Sequence, residues 1–180
     1  MKISTLNSKL HLLSVGTNAK TKKGDSEEAI TAIQYLAPSL NSGYETCAGK
    51  SEGCSAACLF TAGRGAMNSV QQARIKKTKL FFENKELYLT YLNNDLTLLE
   101  EYGKEHNMQV YVRLNGTSDL DFISLNIFQK YPALKFYDYT KIKERLYLSL
   151  PENYKLTYSR DERTTNEEIL TLIDYANIAV

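Results

Sequence analysis

The sequence predicts an α/β protein, either a partial (βα) barrel or a curved parallel sheet with helices on its outer face. Strand-like and helix-like segments alternate along the second half of the chain, and the three prolines fall between predicted elements. The chain has 180 residues, 43% of them hydrophobic, which is enough for one core. We therefore predict that residues 1–180 form a single domain.

The first predicted core strand covers residues 29–36 and ends before Pro38. Two helices are predicted next, over residues 69–83 and 85–102, and Gly103 is expected to end the second helix. The remaining elements alternate: strand 109–114, helix 122–130, strand 134–137, helix 141–148, strand 154–158, helix 165–175 and a final apolar segment 177–180.

Two further features refine this prediction. A polar segment, residues 18–28, precedes the first core strand, and Thr165 with Glu168 forms a capping box at the start of the last helix. Side chains alternate between apolar and polar along residues 110–115 and 134–139. Strands between two helix layers would be apolar on both faces, so the alternation favours a partial barrel with a ligand in its lumen over a doubly wound sheet. An edge strand with a solvated face would show the same alternation.

Charge and hydropathy exclude several classes of protein. The chain has 22 Lys and Arg against 21 Asp and Glu, a net charge of +1, which argues against a protein that coats nucleic acid but leaves room for a local basic patch. No apolar run approaches the roughly 18 residues that would span a bilayer, and the first residues lack a signal-peptide pattern. We predict a cytoplasmic protein with no membrane partner.

Three cysteines, Cys47, Cys54 and Cys58, are confined to one predicted loop with the spacing C-x6-C-x3-C. An odd number of closely spaced cysteines fits a metal or cluster site better than a disulfide framework. Gly49 and Gly53 provide the backbone freedom needed to wrap the loop around one centre. The spacing therefore predicts that the three thiolates bind one metal centre.

The identity of that centre stays open between three alternatives. A closed zinc site usually has four Cys or His ligands, and the two histidines, His11 and His106, are distant in sequence. Three cysteines without a fourth ligand favour a 4Fe-4S cluster with an open iron, or zinc with an exchangeable position. The third alternative is that all three are free thiols buried in a turn.

Polar loops follow several predicted strands, where α/β folds hold their ligands. A glycine-flanked arginine also precedes the first long helix, where backbone N–H groups can bind an anion. We expect the ligand-binding residues to be Arg64, Arg113, Asn115, Thr117, Ser118, Asp119, Asp138, Ser159 and Arg160. A basic run on the predicted helix fits a solvated face: Arg74, Lys76, Lys77 and Lys79. No motif assigns catalytic residues.

The chain resembles the phage gene product eighty-eight family in five stretches: residues 32–38, 47–58, 59–65, 77–82 and 112–119. This resemblance implies a phage or prophage origin, hence a host bacterial cytoplasm, and no residue roles. The layout, a strand leading into a three-cysteine loop and then a βα series, is also similar to the radical S-adenosylmethionine superfamily. That superfamily usually spaces its cluster ligands C-x3-C-x2-C and has a G-G-E-P-like turn where this chain has Asn-Gly-Thr-Ser-Asp.

These patterns yield two functional hypotheses. The first is an iron–sulfur, radical-SAM-like enzyme that binds a small ligand, S-adenosylmethionine being one candidate, at a three-cysteine cluster. The second is a zinc-binding module that interacts with a host protein or nucleic acid without catalysis. The residues alone do not define a substrate or a reaction.

Overall fold

Six strands form one mixed sheet in which the spatial order equals the chain order. The computed structural model describes residues 1–16 and 28–179. Strand β1 pairs antiparallel with β2, and β2 to β6 are parallel. Because β1 and β6 are the edges of the described sheet, it is not closed into a barrel. The strands are β1 (Leu13–Val15), β2 (Ala29–Gln34), β3 (Gln109–Arg113), β4 (Lys135–Thr140), β5 (Tyr154–Ser159) and β6 (Asn177–Ala179).

Two long helices fill the connection between β2 and β3, and the other helices are short. None of the helices in the described ranges is both long and apolar enough to cross a membrane. The helices are α1 (Ile3–Lys9), α2 (Ser39–Ser42), α3 (Glu52–Ala56), α4 (Asn68–Glu83), α5 (Lys85–His106), α6 (Ile127–Lys130) and α7 (Asn166–Leu172). Three 3-10 turns cover Gly63–Ala66, Ile123–Leu125 and Lys143–Tyr147.

The core lies between one face of the sheet and the helices. Along β3, β4 and β5 every second side chain is buried, as the period of a strand requires. Leu92, Leu96 and Leu99 of α5 are buried at helical spacing against this face. On the opposite face, the described side chains of β3, β4 and β5 are polar or aromatic and at least partly exposed, and we call this the open face. The six-stranded, mostly parallel sheet with its helices confirms the predicted α/β class, and the predicted core strands and long helices are all present.

Two elements at the amino terminus, α1 and β1, were not predicted from the sequence. Residues 17–27 lie outside the described ranges, so the predicted polar segment 18–28 is described only at Glu28. Val180, the end of the predicted last strand, also lies outside them. The capping box at Thr165 and Glu168 is confirmed, because both of its hydrogen bonds are formed.

The prediction that Gly103 ends α5 is wrong. The helix continues to His106 and ends at Asn107, whose backbone is left-handed with φ 52°. A Cβ atom at residue 103 would lie 2.8 Å from Cγ2 of Val110. Glycine is therefore required by the close packing of α5 on β3 and not by the helix end.

The prediction of continuous helices over residues 122–130 and 141–148 is also wrong. The first segment is a 3-10 turn and the short helix α6, separated by the left-handed Asn126 with φ 51°. The second segment holds only the 3-10 turn Lys143–Tyr147. Both crossovers are short, and a few apolar side chains in such segments cannot distinguish an α-helix from a 3-10 turn.

Asp95 joins the amino-terminal strand to α5 from inside the core. Its side chain is completely buried, and its Oδ1 accepts a hydrogen bond from the backbone N–H of His11 at 2.8 Å. Its Oδ2 accepts from the backbone N–H groups of Leu12 at 2.7 Å and Leu13 at 2.9 Å. One carboxylate thus satisfies three backbone donors at the start of β1.

We expect Asp95→Leu to lower the free energy of unfolding by about 3 kcal/mol or more, because each buried N–H left without a partner costs about 1–3 kcal/mol. Asp95→Asn keeps one acceptor oxygen and should lose less. Urea denaturation followed by circular dichroism measures the change. The control is Asn94→Ala at an exposed neighbouring position, expected within about 0.5 kcal/mol of wild type. Equal stability of Asp95→Leu and the control would contradict the role of Asp95.

Candidate functional site

The candidate site lies at the carboxyl edge of the parallel strands, where the cysteine segment, residues 46–61, meets two other loops. On one flank the segment contacts the loop after β3. The backbone N–H of Asp119 donates to the carbonyl of Thr46 at 2.7 Å, and Sγ of Cys47 lies 3.5 Å from the carbonyl oxygen of Thr117. This flank fixes the segment beside the end of β3.

On its other flank the cysteine segment contacts the loop after β5. The Glu162 carboxylate accepts from the hydroxyl of Ser51 at 2.8 Å and from the backbone N–H of Gly53 at 2.9 Å. The Arg163 guanidinium donates to the carbonyl of Gly49 at 2.7 Å. The segment is therefore held between the loops of β3 and β5, so strand ends that are distant in sequence share one rim.

The three cysteines are free thiols with different exposure: Cys54 is exposed, and Cys47 and Cys58 are half-buried. Burial raises the pKa of Cys47 to about 11, and negative charge on Asp119, Cys54 or Cys58 raises that pKa further. Within residues 1–16 and 28–179, however, no three His, Cys, Asp or Glu side chains are arranged to hold a metal ion. The metal-binding role of the cysteines stays a prediction.

Asn115 and Asp138 form a buried polar pair beneath the rim. Asp138 accepts from the backbone N–H of Asn115 at 2.7 Å and from its Nδ2 at 3.3 Å. The Oδ1 of Asn115 accepts in turn from the Ser118 hydroxyl at 2.8 Å and from the Leu120 backbone N–H at 2.9 Å. Asn115 is 3% exposed and Asp138 is 1% exposed. Their hydrogen bonds therefore hold the loop after β3 from the interior of the protein.

Two more of the predicted ligand residues make internal contacts. The Thr117 hydroxyl donates to the carbonyl of Leu36 at 2.7 Å, joining the loop to the end of β2. The Asp119 carboxylate accepts from Arg145 at 2.6 Å and from the Thr140 hydroxyl at 3.0 Å. These contacts explain why the segment 115–119 holds one shape, and its role in ligand binding stays a prediction.

Arg113, a half-buried predicted ligand residue, lies at the end of β3. Its guanidinium lies 4.6 Å from the centre of the Tyr139 ring on the open face of the sheet. Its Nε is buried without a hydrogen-bond partner, and it forms no ion pair with a carboxylate in the described residues. A planar cation in this position can still bind an anion through its other donors.

The remaining predicted ligand residues lie at or near the same rim. Arg64 is exposed in the 3-10 turn Gly63–Ala66, and exposed Arg160 donates to Oδ1 of Asn166 at 3.3 Å. The carbonyl of Ser159 accepts from Nζ of Lys141 at 3.1 Å. Since β3 and β5 run parallel, Asn115 and Ser159 lie at the same end of the sheet, as expected from parallel strands.

Arg74 was predicted on a solvated helix face, and the structure corrects this. Its guanidinium lies 4.9 Å from the centre of the Tyr35 ring and donates to the carbonyl of Leu59 at 3.3 Å. Burial lowers the pKa of Arg74, whereas negative charge on Cys58 would raise it. Helical spacing in the sequence could have indicated this burial, because residues 74, 78 and 81 lie on one face of α4, and Thr78 and Phe81 are buried.

The fold and the site define an α/β protein with a cysteine segment on the carboxyl rim of a parallel sheet. A family model described as Gene product 88 matches residues 11–180, so the chain belongs to the Gene product 88 family. This confirms the family resemblance predicted from the sequence. Comparisons with curated proteins and with solved structures found no match. The similarity to the radical S-adenosylmethionine superfamily is not shown by these comparisons.

Asp138 gives a pH-dependent prediction for the folded protein. Burial raises the pKa of its carboxyl from 3.8 to about 7. Between these values the folded chain keeps a proton that the unfolded chain has released. The free energy of unfolding should therefore fall as the pH rises from 4 to 7, by about 4 kcal/mol at most.

Urea denaturation at intervals between pH 4 and pH 8 measures this slope. Asp138→Asn cannot ionise, so the variant should lack the part of the slope that Asp138 contributes. The same pH dependence in wild type and variant would show that Asp138 does not titrate in this range.

Proposed function

We propose that the protein binds a 4Fe-4S cluster through Cys47, Cys54 and Cys58 and holds a small ligand with a carboxylate group beside it. The observation that carries this proposal is the placement of three cysteines on one segment that is held at both flanks at the carboxyl rim. In parallel α/β folds this rim is where ligands bind. S-adenosylmethionine is the first candidate ligand.

The donor set fits a cluster with one open iron better than a closed zinc site. The His11 ring stacks on Tyr91 at 4.6 Å, and His106 contacts the amino terminus, so both histidines are engaged in packing around α5. Three thiolates are soft ligands that suit iron–sulfur clusters and zinc alike. When bound, the cluster would provide one iron without a protein ligand.

The residues around the thiols would support the two parts of this function. Arg74 donates to the carbonyl of Leu59, the residue after Cys58, and so helps to fix the end of the cysteine segment. Arg113 would bind a carboxylate of the ligand, because a guanidinium offers two parallel N–H donors. The Tyr139 ring restricts the orientation of that guanidinium.

A zinc-binding module that contacts a host protein is the second candidate function. The observation that favours it is the exposure of large apolar side chains near the cysteine segment: Leu40 is 95% exposed, Leu59 is 59% exposed and Met67 is 53% exposed. Such side chains would contribute to an interaction surface if they form one patch. In this case the three thiolates would bind zinc and hold the segment in shape for its partner.

Anaerobic reconstitution with ferrous iron and sulfide tests the cluster. We expect visible charge-transfer absorption together with iron and acid-labile sulfide in equal amounts, approaching about four of each per chain. Replacing Cys47, Cys54 or Cys58 by Ser should abolish the absorption. Ala57→Ser, at an exposed position of the same segment, is the matched control and should load like wild type.

Zinc binding with the same cysteine dependence, and without iron or sulfide uptake, would select the zinc module. A chain that takes up neither metal, or whose uptake is unchanged in the serine variants, would overturn both functions.

The Arg113→Lys variant tests whether Arg113 binds the carboxylate of S-adenosylmethionine. Isothermal titration of the loaded protein with S-adenosylmethionine should show binding about tenfold or more weaker in the variant, because hydrogen bonds to charged groups contribute about 1.5–3 kcal/mol and lysine lacks the planar fork. Iron content should match wild type, which separates a binding effect from cluster loss. If the fully loaded wild type shows no heat of binding, S-adenosylmethionine is not the ligand.

A further inference from the structure

The open face of the sheet holds a cleft of about 500 Å³ at the amino-terminal halves of β3, β4 and β5. Its lining combines tyrosines and lysines: Tyr111, Tyr137, Lys135 and Lys155, together with Phe136, Glu152 and Asn153. The cysteine segment lies at the opposite ends of the strands. This cleft is therefore separate from the proposed metal site and has no part in its chemistry.

The strand register places a lysine beside each tyrosine of the cleft. Tyr111 of β3 pairs with Lys135 of β4, and Tyr137 of β4 pairs with Lys155 of β5. Paired residues on neighbouring strands point to the same face of a sheet, because side chains alternate with a period of two. Each of these two tyrosines therefore has a lysine of the next strand beside it on the same face.

The aromatic surface continues along β4 toward the rim. The Tyr139 ring lies 6.5 Å from the Tyr137 ring, and the Arg113 guanidinium covers Tyr139. Tyr111 is 39% exposed, which is unusual for an aromatic side chain on a sheet.

The lysines of the cleft have no charged partners in the part of the chain that the structure describes. Lys135 and Lys155 are exposed and form no ion pair with any described residue. Glu152 is the one acidic group among the described residues that line the cleft. The positive charge of the cleft is thus not neutralised by these residues, although the whole chain is close to balance at +1.

We propose that this cleft binds single-stranded nucleic acid. Tyr111 and Tyr137 stack on unpaired bases, and Lys135 and Lys155 contact the phosphates between them. Sheets that bind single strands use exposed aromatic rings on neighbouring strands in this way, stacking two or three bases. This binding surface is independent of the proposed metal site.

The chemistry of the cleft favours single-stranded nucleic acid over a protein partner or a nucleic-acid duplex. A protein interface is depleted in lysine, whereas here a lysine flanks each ring of the cleft. The bases of a duplex are already stacked on one another, so their faces cannot pack on tyrosine. A single strand has free bases that can stack on the tyrosines and phosphates that can contact the lysines.

Fluorescence anisotropy with labelled oligothymidine and oligouridine of about 12 nucleotides tests the proposal on the full chain. Tyr111→Ala and Tyr137→Ala should each weaken binding by about fivefold or more, whereas the corresponding Phe variants, which keep the ring, should bind like wild type. Tyr147→Ala removes an exposed tyrosine outside the cleft and is the matched control. Circular dichroism confirms that each variant is folded.

Variants that change the charge of the cleft should change nucleic-acid binding in opposite directions. Lys135→Gln with Lys155→Gln should make the slope of log affinity against log salt shallower by about 1.4, or about 0.7 for each phosphate that a lysine no longer neutralises. Glu152→Gln should tighten binding, because it removes the acidic group of the cleft. Lys76→Gln with Lys79→Gln, two exposed lysines on α4, is the control and should leave the slope unchanged.

Several results would overturn the proposal. These are no binding at about 100 μM protein in low salt, equal affinity for duplex and single strands, and loss of binding in the α4 control instead of the cleft variants. A concentration-dependent dimer that Tyr111→Ala abolishes would instead assign the face to a second copy of the chain. Loss of cluster binding in the cysteine variants would not affect any of these measurements.

Discussion

The geometry of the candidate site depends on the buried hydrogen bonds between Asn115 and Asp138. Asp138 fixes the backbone of the chain as it leaves β3, and the side chain of Asn115 then fixes Ser118 and Leu120. Asp119 lies between Ser118 and Leu120. Its backbone contacts the cysteine segment, and its carboxylate contacts the end of β4 and the loop that follows. A single polar pair in an apolar core thus determines where three loops meet. Its burial makes ionisation of Asp138 costly, which is the energetic consequence of placing a carboxyl there.

A second constraint is that the buried side chains of β3, β4 and β5 lie on one face of the described sheet. The covered face can be apolar throughout, and the open face must carry side chains that tolerate water. Tyrosine, lysine and arginine meet this requirement, and their rings and charges are also the groups that recognise anions and planar ligands. The candidate metal site and the tyrosine–lysine cleft therefore arise from the same architecture, at opposite ends of the same strands.

Periodicity was sufficient to predict the sheet, the two long helices and the capped last helix, because each has several turns or alternations. It failed for short elements such as residues 141–148, where one turn of 3-10 geometry replaces a helix. The alternation along residues 110–115 also predicted that Asn115 lies on the same face of the sheet as Arg113. In the structure β3 ends at Arg113, and the chain then turns so that Asn115 is buried. Side-chain partners such as Arg145 with Asp119 join distant parts of the sequence, so spacing along the chain could not indicate them.

The position of Cys47 sets a condition on the metal binding that we propose for the cysteine segment. Its thiol is partly buried beside Asp119 and the carbonyl of Thr117, and these surroundings favour the protonated form. A thiolate at this position needs a compensating cation, which a metal centre provides and the free chain does not. If the proposed centre binds there, Cys47 would release its proton and lose its contact with the carbonyl of Thr117. The anchors at Ser51, Gly53 and Gly49 hold the backbone on the β5 side, so the rearrangement can be confined to the thiols and the residues between them.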